Sequence, residues 1–143
     1  MDKEQQIIER ILTESRNIAV VGLSAKANRP SHEVAQYLQA HSYRIIPVNP
    51  AYAGTHILGE MCHATLAEAD AAVKKEGGRI DVVDCFRKSE EVGHAVDEAI
   101  AVGARCVWMQ LGVIDEQAAA RAEKAGLDVV MDKCIKIEHM QLR

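Results

Sequence analysis

Ile18, Ala19, Val20 and Val21 form an unbroken apolar run that stops at Gly22. A run without polar alternation reads as a strand covered on both faces, the pattern of a parallel sheet. Parallel strands need long crossover connections, so this run points the chain towards an α/β architecture. The loop behind it carries Ser24, Lys26, Asn28, Arg29 and Ser31, and Ser31 reads as the cap of the next helix. A loop from a buried strand to a helix N-terminus offers N–H groups and the positive end of the helix dipole, which suit phosphate. Two cations and three small polar side chains strengthen that reading, although an ordinary polar loop carries the same residue types. Gly22 stands alone where a dinucleotide loop has three glycines, and no Gly-Lys-Ser/Thr follows. Neither the dinucleotide fingerprint nor the Walker loop is met.

The remaining chain repeats the strand–helix alternation. Asp2 and Gln5 resemble a capping box before the stripe Ile7, Ile8, Ile11 and Leu12, which predicts a helix over about 3–14 packed on the sheet. Pro30 at a helix entry, then Val34, Tyr37 and Leu38, predict a helix over 31–41. Strands are expected at 43–48, 81–86, 105–111 and 127–131, with a short helix near 66–72 and an exposed, flexible turn over 74–79. A helix capped by Ser89 and stopped by Gly103 follows the third strand, and Asp115 caps an alanine-rich helix ended by Gly126. Right-handed crossovers then give a doubly wound α/β sheet in a single domain. Ligands of such sheets bind outside the carboxyl ends of the strands. Here those ends supply Ser24, Asn49-Pro50, Phe86-Arg87, Gln110-Leu-Gly112 and Asp132-Lys133, which should surround one crevice.

Composition removes several classes of function. A formal charge of −4 argues against non-specific nucleic-acid binding, which needs a basic surface. No apolar run reaches membrane-spanning length and the first residues lack signal-peptide character, so a soluble cytoplasmic protein is expected. Cys62, Cys85, Cys106 and Cys134 contain no Cys-x-x-Cys pair, and Cys85 and Cys106 fall inside apolar runs. They read as isolated buried thiols rather than metal ligands or a disulfide framework. The end of the second strand is Ile46-Pro-Val-Asn49, without the acidic residue that would hold the ribose of NAD. That leaves room for a ribose carrying its own phosphate, with Lys26, Arg29 and Arg44 as candidate partners.

The runs Val20-Val-Gly-Leu-Ser24, Arg29-Pro-Ser31, Ile46-Pro-Val-Asn-Pro50, Asp84-Cys-Phe-Arg87, Trp108-Met-Gln-Leu-Gly-Val113 and Val129-Val-Met-Asp-Lys-Cys134 occur in this order. Together they resemble the small single-domain coenzyme A-binding proteins of bacteria and archaea, the YccU-like family. That family is similar to the N-terminal domain of the succinyl-CoA synthetase α subunit. The resemblance covers about residues 17–138 and implies a Rossmann-like, mostly parallel five-stranded sheet with helices on both faces. It also implies a coenzyme A or acyl-CoA ligand with its diphosphate on the first βα loop. Gly22, Ser24, Arg29 and Ser31 would then hold phosphate, with Lys26 beside them, and Pro47, Asn49 and Pro50 would border the adenosine end. Phe86, Arg87, Gln110 and Gly112 would line the remaining crevice. Lys133 stands where the family more often has Arg, and residues 72–79 make a longer stretch than usual.

No catalytic constellation stands out. His32 is the histidine nearest the expected site and reads as a solvated side chain. A mixed disulfide between Cys85 and a coenzyme A thiol needs an exposed thiolate, whereas the strand pattern buries that residue. The expectation is a carrier, sensor or accessory module without evident catalysis. An enzyme acting on a CoA thioester, and a protein-interaction module with vestigial nucleotide binding, stand as alternatives. A protein partner is compatible with all three but is not identifiable from the residues.

Overall fold

The computed structural model describes residues 2–142, and Met1 and Arg143 lie outside it. Five parallel strands form the main sheet: β1 (Asn17–Val21), β2 (Arg44–Val48), β5 (Val82–Cys85), β6 (Cys106–Met109) and β7 (Asp128–Val130). Their order is β2-β1-β5-β6-β7, so the chain builds outward from β1 to β2, then crosses back to β5 and continues the other way. The reversal lies between β1 and β5, which pair in register from Ile18–Val82 to Val21–Cys85. This is the doubly wound α/β sheet that the strand–helix alternation implies, in the Rossmann-like, single-domain form that the resemblance implies.

Alternate residues of each strand feed two cores, as strand geometry requires. Ala19, Val21, Val83, Cys85, Val107 and Met109 meet Leu66, Ala69 and Val73 of α3 (Leu66–Lys75). The same layer takes Val92, Val96 and Ala99 of α4 (Ser89–Val102), and Ala118 and Ala122 of α5 (Glu116–Lys124). Ile18, Val20, Val82, Cys106 and Trp108 face the opposite layer. There Ile8, Ile11 and Leu12 of α1 (Lys3–Glu14) join Val34, Ala35 and Leu38 of α2 (Pro30–Ala40), and Ile135 of α6 (Ile135–Gln141). With aromatics this scarce, small and branched side chains let the helices lie close to the sheet. Each large apolar group so buried contributes about 1.5–3 kcal/mol. Trp108 is fully buried, with its indole N–H satisfied by the Lys133 carbonyl at 2.8 Å.

The helix starts show which polar residues cap and which do other work. Asp2 accepts from the Gln5 N–H at 2.7 Å and Asp115 from the Ala118 N–H at 3.0 Å, both as the sequence implies. Ser31 and Ser89 do not cap. Arg29 and Lys88 occupy the cap positions of α2 and α4, and neither makes a side-chain cap bond. The Ser31 hydroxyl instead accepts the Ser24 N–H at 3.0 Å, and the Ser89 hydroxyl accepts the Ile114 N–H at 2.9 Å. Each is captured by a neighbouring loop, a tertiary competitor that no local pattern displays.

Three further features depart from the expectation. A small antiparallel pair, β3 (His56–Ile57) with β4 (Glu60–Met61), follows a 3₁₀ turn over Pro50–Tyr52. α3 runs on to Lys75, into the stretch expected as a turn. α6 packs against α2, where the Tyr37 hydroxyl and His139 Nδ1 are 2.7 Å apart. Among the described residues, no helix is long and apolar enough to cross a membrane.

Candidate functional site

Gly22 sits at the point where strand order reverses. Its N–H bonds the Val48 carbonyl at 2.8 Å, and the Phe86 N–H bonds the Val21 carbonyl at 2.9 Å. The ends of β2, β1 and β5 are therefore drawn into one rim. Gly22 adopts φ +90°, and a Cβ there would fall well inside van der Waals contact with the Phe86 carbonyl oxygen, with the carbonyl carbon next at 3.1 Å and Arg87 Cδ at 3.5 Å. Both conformation and space demand glycine. Beyond Gly22 the loop is folded by its own serines: the Ser24 hydroxyl accepts the Lys26 N–H at 3.1 Å, while Ser31 holds the Ser24 N–H. Asn49 closes the other side, donating from Nδ2 to the Leu23 carbonyl and accepting the Ala51 N–H on Oδ1, each at 3.0 Å.

These bonds leave a cavity of about 450 Å³ above the β1–β5 junction. Gly22, Ser24, Lys26, Arg29, Ser31, Asn49, Phe86 and Arg87 all line it, so most of the residues singled out in the sequence converge here. Pro30, Ala51 and Tyr52 line it as well. Tyr52, not singled out in the sequence, stands four residues past the end of β2, in the 3₁₀ turn over Pro50–Tyr52. The lining holds no carboxylate. Among the described residues Lys26, Arg29 and Arg87 form no ion pair, whereas Arg10, Arg44, Arg105 and Arg121 each have a carboxylate partner. Three uncompensated cations and the N-terminus of an eleven-residue helix thus bound one cavity with hydroxyls at its floor. The donor set suits a multiply charged phosphate ligand.

Four of the expected residues lie elsewhere or do another job. Pro47 is buried within the edge strand β2. Pro50 faces a different cavity, of about 740 Å³, on the α3–α5 side. Gly112 is held in the turn after β6, its N–H bonded to Asp132 Oδ1 at 2.7 Å. Gln110 is buried and accepts the Ile135 N–H on Oε1 at 3.2 Å, fixing the start of α6. It also lines a neighbouring cavity that shares Phe86 and Arg87 with the first. Asp132 and Lys133 do not join either; Lys133 Nζ reaches Glu4 at 3.5 Å instead. The single expected crevice is therefore two adjoining cavities across Phe86 and Arg87, with a third behind.

Arg44 lies away from the phosphate cavity. It begins β2, at the far end of a parallel sheet, and makes a bidentate pair with Glu76 at 2.7 and 3.0 Å. The 740 Å³ cavity is larger than these two, but Glu90, Glu91, Glu98 and Asp115 outnumber Arg87 in its lining and disfavour an anion. His32, expected in solvent, is buried, and its Nδ1 has no partner among the described residues. Asp84 on β5 is fully buried with both carboxyl oxygens unpartnered among the described residues, and burial holds its carboxyl well above the usual carboxylate range. Burial likewise pushes the Cys85 and Cys106 thiols up, which removes them as nucleophiles, as their place in apolar runs implies. No cluster of three or more potential metal ligands occurs among the described residues.

Comparison with known proteins agrees with this fold. The uncharacterized protein YneT of Bacillus subtilis (strain 168) is 39% identical over 132 residues, covering 92% of this chain and 91% of its own. A solved structure from Thermus thermophilus superposes with a TM-score of 0.87 at 30% identity, covering the whole of both chains. A hypothetical protein of Pyrococcus horikoshii OT3 gives 0.85 at 35% identity, covering 96% of this chain and 91% of its own. The family model described as a CoA binding domain matches residues 16–140. The chain belongs to the CoA-binding domain family.

Proposed function

We propose that the chain binds coenzyme A or a CoA thioester across the β1–β5 junction, as a carrier, sensor or accessory module. The observation that carries this reading is the convergence of Lys26, Arg29 and Arg87, none with an ion-pair partner among the described residues, on a cavity without carboxylates. Ser24, Ser31 and the first turn of α2 take the diphosphate, and Gly22 lets it approach the backbone. Lys26 and Arg29 are the partners for the ribose phosphate. Tyr52 and Asn49 border the adenosine side, where no carboxylate stands to select the free ribose hydroxyls of NAD. Coenzyme A itself supplies a thiol that carries acyl groups. The chain's own residues bind and orient, and no nucleophile–base pair lies in the cavity to add turnover. Calorimetric titration with coenzyme A, dephospho-CoA and NAD at fixed salt tests the reading. Saturable binding of coenzyme A, weaker for dephospho-CoA and absent for NAD, supports it. No heat and no thermal stabilisation with any of the three overturns it.

A further inference from the structure

Of the six histidines only His32 is buried, at 9% exposure, and its Nδ1 has no hydrogen-bond partner among the described residues. A buried ring nitrogen that has lost water without replacement stands where another role outweighs the cost. Its place in the fold points to that role. His32 shares the first turn of α2 with Pro30 and Ser31, which line the phosphate cavity. His32 and Gln39 lie seven residues apart, on one flank of the helix. Gln39 Nε2 donates to the Leu58 carbonyl at 2.8 Å, which turns that flank towards the segment over residues 50–61. Ala51 and Tyr52 of the same segment line the phosphate cavity. Side chains on a helix lean towards its N-terminus, here the end that bounds the cavity.

On the cavity side the surrounding charges are cationic: Lys26 and Arg29 from the loop, Arg87 after β5, and the positive end of α2. Glu33, next on α2, and His56 on β3 are exposed, Tyr52 is half-buried, and Glu60 on β4 lies against Arg44 at 3.7 Å. An empty cavity therefore opposes a further positive charge on a buried ring, whereas bound phosphates reverse the sign of the local field. Resting on the coenzyme A reading above, we propose that His32 is an electrostatic partner of the bound phosphates, neutral in the empty protein and an imidazolium in the complex. The proton comes from solvent and goes to the ring nitrogen that lacks one, which makes both nitrogens donors. Histidine suits this task because its charge changes between about pH 5 and 8. Binding then takes up a proton, and affinity rises as pH falls.

Calorimetry of coenzyme A binding at pH 7, in buffers of low and high ionisation enthalpy, counts the protons exchanged. Wild type should take up at most about one proton, and its affinity should rise about two- to tenfold from pH 8 to 6.5. A phosphate monoester titrates near pH 6 and loses its proton on binding as the dianion, so the ligand's own titration has the opposite sign and cannot imitate uptake. His32→Gln and His32→Phe should bind coenzyme A without uptake and with a flatter pH profile. Ring nitrogen NMR shifts of His32 in wild type, with and without coenzyme A, report the same change of charge without relying on a variant that folds. Coenzyme A bound with no uptake, with equal uptake in wild type and His32→Gln, or with the ring shifts unchanged overturns the role of His32 and leaves the phosphate site standing. Absence of binding by wild type overturns both.

Discussion

At Gly22 a side chain is excluded twice, by φ +90° and by the Phe86 carbonyl. Gly22→Ala should therefore cost about 2–4 kcal/mol in denaturant unfolding, more than an exposed glycine of similar φ would lose. Arg29 makes the opposite case: it is exposed, without an ion pair among the described residues and free of capping work, so Arg29→Ala should leave stability within about 0.5 kcal/mol. Its loss removes one charge-assisted contact, and coenzyme A affinity should drop about ten- to a hundredfold by calorimetry. Asp84 offers a pH prediction. It faces the α1–α2–α6 layer between Val20 and Trp108 in register, and burial raises its carboxyl above the unfolded value. The native state then keeps a proton that the unfolded chain releases above about pH 4. Asp84 consequently lowers stability as pH rises from there to its folded-state pKa, by up to about 1.4 kcal/mol per pH unit. Unfolding of wild type and Asp84→Asn should diverge in the variant's favour between pH 4 and 8. A difference independent of pH would show that Asp84 ionises alike in both states.

Elements were legible in proportion to their length and apolar continuity. β1, β5 and β6 announce themselves because burial on both faces removes every polar residue but Asp84 from their cores. The α1 stripe and the Asp115 cap are local patterns that the fold leaves undisturbed. The β3–β4 pair has two residues per strand, too few to show a period, and α6 has seven, too few for a stripe. The site was legible where residues follow a strand's C-terminal end, since a parallel sheet brings those ends together. Arg44 was misplaced because it opens its strand rather than closing it. Gln110 closes one, yet its Oε1 is committed to α6, a helix the sequence had not revealed. That commitment is testable. Gln110→Ala should cost about 1–3 kcal/mol by leaving the Ile135 N–H without its acceptor. Ile135→Ala, emptying a fully buried position of the same layer, should cost about 2–5 kcal/mol. Equal stability of both variants and wild type would show that α6 is an appendage rather than part of the core.

A chain with a formal charge of −4 binding a polyanion needs its charges segregated, and the fold supplies this. The phosphate cavity collects Lys26 and Arg29 on the α2 side, while Glu90, Glu91, Glu98 and Asp115 gather in the cavity behind the sheet, and Arg87 lines both. Net charge therefore misstates what the ligand meets. Screening lengths shorten from about 10 Å at 0.1 M salt to about 3 Å at 1 M, so an attraction made of exposed cations weakens steeply. Coenzyme A affinity should fall about tenfold between roughly 0.05 and 0.5 M monovalent salt, and Arg29→Ala should show a shallower dependence. Thermal shift provides an independent readout, because a ligand that binds the folded state stabilises it by RT ln(1 + [L]/Kd). At fixed coenzyme A the shift should shrink as salt rises. A salt-independent affinity would mean that the three cations do not meet the phosphates. The charge segregation would then serve the chain's own solubility rather than its ligand.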